Sequence, residues 1–486
     1  MEGMSPVQGG NFADLQGLQG FIWTDVKDFH KAVTSGNYET DVSGLTGGRA
    51  VQLQSIERSL LMTVQTEEML KAFRALQKSN ATATVDEYVR QTTVGGFLGG
   101  SFNGESDVIN EAEADYKRLT LEIKYMMTMR RVTMVQKSTT GVVDVMSNQS
   151  KSAILQILSD TEWAIFKGDS SCVDKEFDGI EAILRSAASS DHIIDMRGKG
   201  ITPAAAEFIQ AAQLASSYGN YGRINKSYMS NLVAADIDQK MDPNFRILLN
   251  NQGDNTKIGA PVQAVKTRWG NIAVVDDIFI QEGEIPFASR SAELAAIVTN
   301  ANVTPPTSIT PTVGPTAGSQ FLAAHAGTYY WGAEGRNKNG SSAIVKSGAF
   351  TVNSGDGASL AIVEGVGSNA TCFMIYRSRR FGTNVDTDMR EMVRIPIQHA
   401  GGGGTTTYVD LNARIPGTSQ IYCLTERPDA ITIRRLLPMT KFALYPTNAA
   451  IIPWAYLLFL ALRIGKPNQH VIIDNVLPSA SPWQPF

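Results

Sequence analysis

Between Thr328 and Asp410 the chain carries seven short alternating segments and no helical period, and this run constrains the fold more than any other feature. The segments are Thr328–Ala333, Ala343–Val345, Ala349–Val352, Leu360–Val363, Thr371–Arg377, Met392–Ile397 and Thr406–Asp410. Each is too short for a stable helix, and each ends at glycine, proline, asparagine or serine turns. Seven such strands within about 110 residues predict a β-sandwich over residues 302–427. A stretch rich in Thr, Ser, Gly and Pro, residues 302–320, leads into it as a linker or first strand.

The flanking pattern is different. Residues 1–50 hold nine glycines and show no lasting period, which predicts an extended arm. Ile56, Leu60, Val64, Leu70, Phe73 and Leu76 recur at helical spacing up to Gln77, and a Thr/Gly stretch follows, ending in Gly95-Gly96-Phe97-Leu98-Gly99-Gly100. Val142–Lys167 is the clearest helix, with Met146, Ile154, Ile157, Leu158 and Ile165 on one stripe, Thr140 placed to cap it and Gly168 to end it. At about 26 residues it spans roughly 39 Å. A second helix is expected from the Thr202-Pro203 start to Tyr218, and a third from Ser227 to Met241, stopping before Pro243. Short strands are expected at Ile258–Ala264, Ile272–Phe279, Ile431–Leu436, Phe442–Tyr445, Tyr456–Ile464 and Val471–Ile473. The fold class is therefore α+β, with the sandwich set inside it.

Charge is segregated along 105–131. Glu105, Asp107, Glu111, Glu113 and Asp115 come first, and Lys117, Arg118, Lys124, Arg130 and Arg131 follow. Leu119, Leu121, Ile123 and Tyr125 alternate with polar residues between the basic ones, a strand signal. An acidic strand-length piece followed by a basic one predicts a long β-hairpin, although a plain solvated face reads equally well. Glu105, Asp107, Glu111, Glu113, Lys117, Arg118, Lys124, Arg130 and Arg131 are the candidate contacts between subunits.

Composition narrows the function. Lys+Arg 43 against Asp+Glu 47 leaves a net charge of -4, which argues against binding nucleic acid by phosphate neutralisation. Charged residues make up only 19%, below the ~25% usual for soluble domains, so much of the surface is expected to be covered by other subunits. No signal peptide is visible in the first residues. The longest apolar run, Ala449 to Leu462, contains Pro453 and falls short of the ~20 residues a membrane span needs, so core is expected. Cys172, Cys372 and Cys423 show no CxxC spacing and read as free thiols from a reducing compartment.

Site chemistry is sparse. His30, His192, His325, His399 and His470 are scattered, so no metal is expected. Gly335 to Ser342 nearly matches a phosphate loop, but it lacks the Lys after Gly340 and runs into a strand. Gly365 to Ala370 fits a loose dinucleotide fingerprint and also continues as strand, so both are turns, as is the Gly401–Gly404 run. There is no GxSxG and no paired acid/base motif; no catalytic residue and no cofactor are expected, and an enzyme is disfavoured.

The order of these segments resembles the major capsid proteins of tailed bacteriophages with the Hong Kong 97-type fold. Tyr116-Lys-Arg-Leu-Thr-Leu-Glu-Ile-Lys124 is similar to the returning strand of the family's extended loop, and Ser159-Asp-Thr-Glu-Trp-Ala-Ile-Phe-Lys-Gly168 to the end of its spine helix. Asn225–Met241 resembles a helix of its axial domain, and Arg463-Ile-Gly465 through Asn475-Val476 its last peripheral strand. The resemblance covers about 97–300 and 428–486. It implies an N-terminal arm with an amphipathic helix (1–96), an extended-loop hairpin (97–140), the spine helix with a peripheral domain (141–199), an axial domain (200–301), an inserted immunoglobulin- or fibronectin-like sandwich (302–427) and a return to the axial and peripheral domains (428–486). The implied function is self-assembly into hexamers and pentamers of an icosahedral head around double-stranded DNA, bound without sequence specificity. The implied partners are further copies of the chain with portal, scaffold and decoration or cement proteins, with no membrane, made in the host cytoplasm and located in the virion. The family's lysine–asparagine cross-link cannot be carried over: Lys117 and Lys124 lie in the loop region, but no partner motif is recognisable. An encapsulin-like compartment shell, or a tail or adhesin module using the sandwich, are the alternatives.

Overall fold

A computed structural model describes residues 67–109, 111–139, 144–203, 205–240, 261–284, 303–399, 403–446, 449–479 and 481–486. The expected arm, most of the helix expected from Ile56, the Thr140 cap, the start of the Ile258 strand and Gly401–Gly402 lie outside the described residues.

The longest helix is Val145–Lys167. Its buried face carries Ala153, Ile157, Ala164, Ile165 and Phe166. Gly168 ends it by close approach: a Cβ there would collide with the Phe177 carbonyl oxygen, so only glycine lets the following loop fold back.

A four-stranded sheet lies along this helix, in the order Lys78–Asn80, Ile431–Ala443, Ile451–Ile464, Lys124–Thr133. The apolar run thus forms an inner strand of this sheet. Pro453 sits in this strand opposite Arg131, and its neighbours Trp454, Ala455 and Tyr456 are buried. Alternation aims one face of Lys124–Thr133 at the helix: Thr128 and Arg130 hydrogen-bond Gln156, and Thr161 meets Met126.

A six-stranded mixed sheet runs Ile193–Asp195, Val471–Val476, Ser419–Leu424, Lys226–Met229, Gly270–Asp276, Ala264–Thr267. Helices Ala206–Ser216 and Asn231–Lys240 supply Phe208, Ala211, Ala212, Val233 and Ile237 to its core, beside Ile272, Ile421, Val471 and Ile473.

The third body is two β-layers over one core. One layer orders Thr405–Asp410, Asp356–Val363, Ser308–Pro315; the other orders Gly340–Ser341, Trp331–Asn337, Cys372–Arg377, Arg390–Pro396. Tyr329, Trp331, Leu360, Ile362, Phe373 and Ile375 fill the space between them. A fully buried Arg377 is held by Asp410 and Asn412, each at 2.7 Å, while Trp331 Nε1 donates to the same Asp410 carboxylate at 3.0 Å. All seven segments expected between Thr328 and Asp410 contain strand, and Ser308–Pro315 adds one inside the expected linker.

Several expectations need correction. The acidic piece 105–114 is loop and not strand; the hairpin pairs Val85–Thr93 with Asp115–Glu122, and the basic piece divides at buried Ile123 between that hairpin and the four-stranded sheet. The Thr202 helix begins at Ala206, with Thr202 Oγ1 accepting from Ala206 N at 3.3 Å. The Ser227 helix opens as a buried strand, Lys226–Met229, because the chain there is covered on both faces; Ser230 then starts the helix by accepting from Val233 N. Ser419–Leu424 belongs to the six-stranded sheet, so the sandwich ends before 427. Ile431–Leu436 and Phe442–Tyr445 join as one strand, irregular around Pro438. In the described part of the first expected helix, only Ala72–Ala75 is α-helical.

Candidate assembly surface

The hairpin is fastened at its base and open at its tip. Arg434 grips Asp86 through two hydrogen bonds, at 2.7 and 2.8 Å, and Arg463 lies over the Tyr88 ring. Ile123 N donates to Thr84 O at 2.9 Å where the hairpin leaves the sheet. Away from this base both strands are mostly exposed. The joining loop narrows at Gly95, where φ is +86° and a Cβ would collide with the Glu113 carbonyl oxygen, so no side chain fits.

Beyond that neck the loop is apolar. Val94, Phe97, Leu98, Phe102, Val108 and Ile109 are each 77–90% exposed. A soluble chain rarely presents so many large apolar groups together, and such a surface marks a contact site. A second exposed group lies on the outer face of the four-stranded sheet, where Tyr125, Met127 and Met129 stand beside Phe442. Tyr125 meets Phe459 edge-on at 4.8 Å. In the sequence these residues stand out only as a Thr/Gly stretch ending in Gly95-Gly96-Phe97-Leu98-Gly99-Gly100. Their signal was large hydrophobes in a stretch with neither period that a core could use.

The nine charged candidates separate. Glu105, Asp107, Glu111 and Glu113 surround the apolar loop, all exposed, with Asp107 accepting from Gly104 N at 2.5 Å. Lys117 and Arg118 lie on the hairpin, where Arg118 pairs with Glu87 at 2.6 Å. Lys124 binds Glu122 and the Asp174 carbonyl, both at 3.0 Å, and Arg130 binds Gln156 at 2.7 Å, so these two serve their own chain. Arg131 is exposed at the far end of the same strand. Among the described residues no ion pair joins the loop acids to these cations.

Elsewhere the charge is interior. Lys167, Arg185 and Arg414 converge on Glu181 at 3.0, 2.9 and 2.5 Å, and Arg185 reaches Asp474 at 2.5 Å. Burial opposes ionisation of Glu181, yet the three cations hold its carboxyl well below the usual range. Arg414 follows the last sandwich strand, and Arg394 on Arg390–Pro396 binds Glu176 at 3.0 Å and the Lys167 carbonyl at 2.7 Å. These contacts seat the sandwich on the end of the long helix. Of the described histidines, His192, His325 and His470 are buried and His399 is exposed, and burial lowers His470 to about 4.

The described surface thus offers an exposed apolar contact site, while its buried charge joins parts of the same chain. No family model matches the chain. The chain is 24% identical to the major capsid protein of Staphylococcus phage K over 487 residues, covering 96% of this chain and 98% of that protein. It is 23% identical to the putative major capsid protein of Enterococcus phage phiEF24C, covering 92% and 94%. Among solved structures, the capsid of an empty GTA particle aligns with 89% of this chain and 98% of its own at a TM-score of 0.45 and 9% identity. The capsid of Myoviridae phage XM1 aligns with 88% and 98% at 0.43 and 7%. The similarity to these phage major capsid proteins runs end to end, and the chain itself has an α+β fold. No helix among the described residues is long and apolar enough to cross a membrane.

Proposed function

We propose that copies of this chain close into an icosahedral head of hexamers and pentamers around double-stranded DNA, with the 94–114 loop and its hairpin gripping a neighbouring copy. The exposed apolar loop carries this reading. Its six large side chains are left in water by a lone subunit, and covering them recovers about 25 cal/mol per Å² of apolar area. The acids around them form a polar rim, which sets the partner's register more than it adds affinity. A hairpin tied down only at its base can meet neighbours at the slightly different angles that five-fold and six-fold positions demand. The net charge of -4 supports a container that encloses DNA without reading it. Portal, scaffold and decoration or cement proteins are the further partners of such a head, and the sandwich is read as an inserted immunoglobulin- or fibronectin-like module. Negative-stain microscopy of the purified chain tests the assembly: closed shells or capsomer rings are expected, whereas persistent monomers or isolated elongated trimers would overturn it.

A further inference from the structure

Two of the three cysteines meet although 200 positions separate them. Cys172 lies in the loop after the long helix, and Cys372 opens the sandwich strand Cys372–Arg377. Both are buried, at 1% and 0% exposure, and with Val173 they form a small cluster of their own. Both thiols are free; the Cys172 thiol donates to Asp169 at 3.3 Å, and the Cys372 thiol lies 3.9 Å from the Arg336 carbonyl. Cys423 is buried in the core of the six-stranded sheet, away from both.

From this geometry we infer that Cys172 and Cys372 are an oxidation site: a peroxide joins them in a disulfide that staples the sandwich to the long helix. The inference is independent of the assembly reading, because it concerns one chain.

The environment supplies what the reaction needs. Cys372 is lowered from the ordinary thiol range, first by the hydrogen bond from Cys172, with Arg394 and Arg336 assisting against burial. Cys172 is raised, by the same hydrogen bond and by burial, and so keeps its proton. Cys372 is therefore the first nucleophile. Its thiolate attacks one peroxide oxygen, the O–O bond breaks, and hydroxide leaves, so that Cys372 becomes a sulfenic acid. The Cys172 sulfur then attacks that sulfur, the S–O bond breaks, and the departing hydroxide takes the Cys172 proton. Two thiols and one hydrogen peroxide become one disulfide and two waters.

Asp169, 3.3 Å from the Cys172 sulfur, and Arg394 line a cavity of about 550 Å³ that neither cysteine lines, so peroxide must pass the Cys172 turn to reach the thiols. Bringing these clustered sulfurs to the ~2.05 Å of a disulfide takes side-chain rotation and a small backbone shift. Cys172 is the adjustable partner, since it sits in a turn with its N–H on Asp169 O, while Cys372 is held in ladders to both neighbouring strands.

The test treats the purified full-length chain with dilute hydrogen peroxide, then denatures it, blocks free thiols and maps peptides without reductant. A peptide linking Cys172 to Cys372, a loss of two hydrogens from the intact mass, a blocked Cys423 and reversal by dithiothreitol are expected. The oxidised chain should melt roughly 5 °C higher, because a long loop is closed in its unfolded state. Cys423→Ser keeps the link, and Cys172→Ser or Cys372→Ser abolishes it. If the wild-type chain instead shows both cysteines blocked, or Cys372 carried on to sulfinic acid with no linked peptide, the inference fails, whatever the variants do.

Discussion

Glu162 and Asp277 are expected to hold one proton between them in the interior, and replacing Asp277 by asparagine should reveal it. Glu162 is fully buried on the long helix and accepts from the backbone N–H groups of Ala72 and Phe73, at 2.5 and 2.8 Å. Asp277, 1% exposed, accepts from Phe279 N with one oxygen, while its other oxygen has no donor. Protonated, that oxygen becomes the donor to Glu162. Burial, and then the Glu162 charge, push Asp277 up to about 8 from an ordinary 3.8. A folded-state value above the unfolded one gives stability that is fully present below about 3.8 and is lost as pH rises through about 8. A tenfold change in proton affinity is worth ~1.36 kcal/mol, so with Lys71 and relaxation offsetting part of the repulsion, ionising the pair costs on the order of 3–5 kcal/mol. Asp277→Asn keeps a donor to Glu162 and removes the second charge. At ~2.1 cal/mol/K per residue, a chain of this length melts with about 1 kcal/mol/K, so the variant should melt roughly 3–5 °C above wild type at pH 9. Near pH 5, where only the unfolded carboxyl is ionised, the offset should shrink to about 1–2 °C. Thermal melts of the free subunit followed by circular dichroism across that range decide it. An identical offset at both pH values would refute the shared proton.

Three further outcomes follow from the contacts above. Phe97→Ser with Phe102→Ser should leave the subunit melt unchanged, both rings being exposed, yet abolish shells in negative stain; shells of normal yield would remove the loop from the interface. Reversing Lys117 and Arg118 to Glu should cost the subunit only ~0–1 kcal/mol, since the Arg118–Glu87 pair is exposed. Assembly yield should drop, and recovery by Glu87→Arg would locate the pairing within the hairpin, recovery by Glu111→Arg between neighbours. Arg394→Ala should cost about 3 kcal/mol by leaving Glu176 with no buried cation, and hydrogen exchange should rise in 169–176 and 390–396; unchanged exchange would show that this contact does not seat the sandwich.

Where side chains partition cleanly, the sequence alone told the structure. The sandwich strands alternate because one face of each layer is sealed against Trp331, Leu360 and Phe373, and the long helix carries a stripe because one side of it is covered. The pattern failed wherever partition is absent. Lys226–Met229 is covered on both faces and so shows no strand period, while Val85–Thr93 has neither face sealed and hides in a Thr-rich stretch. Which strand pairs with which was also out of reach, as the acidic loop shows: the basic strand's partner lies before the glycines, at Val85–Thr93. The groups with the sharpest chemistry belong wholly to the tertiary structure. Cys172 meets Cys372, and Glu162 meets Asp277, only because strands and helices from distant positions pack side by side. Periodicity records how each side chain divides between water and interior; it holds no record of the partner met there, since that is set by sheet register and packing between segments far apart in the chain.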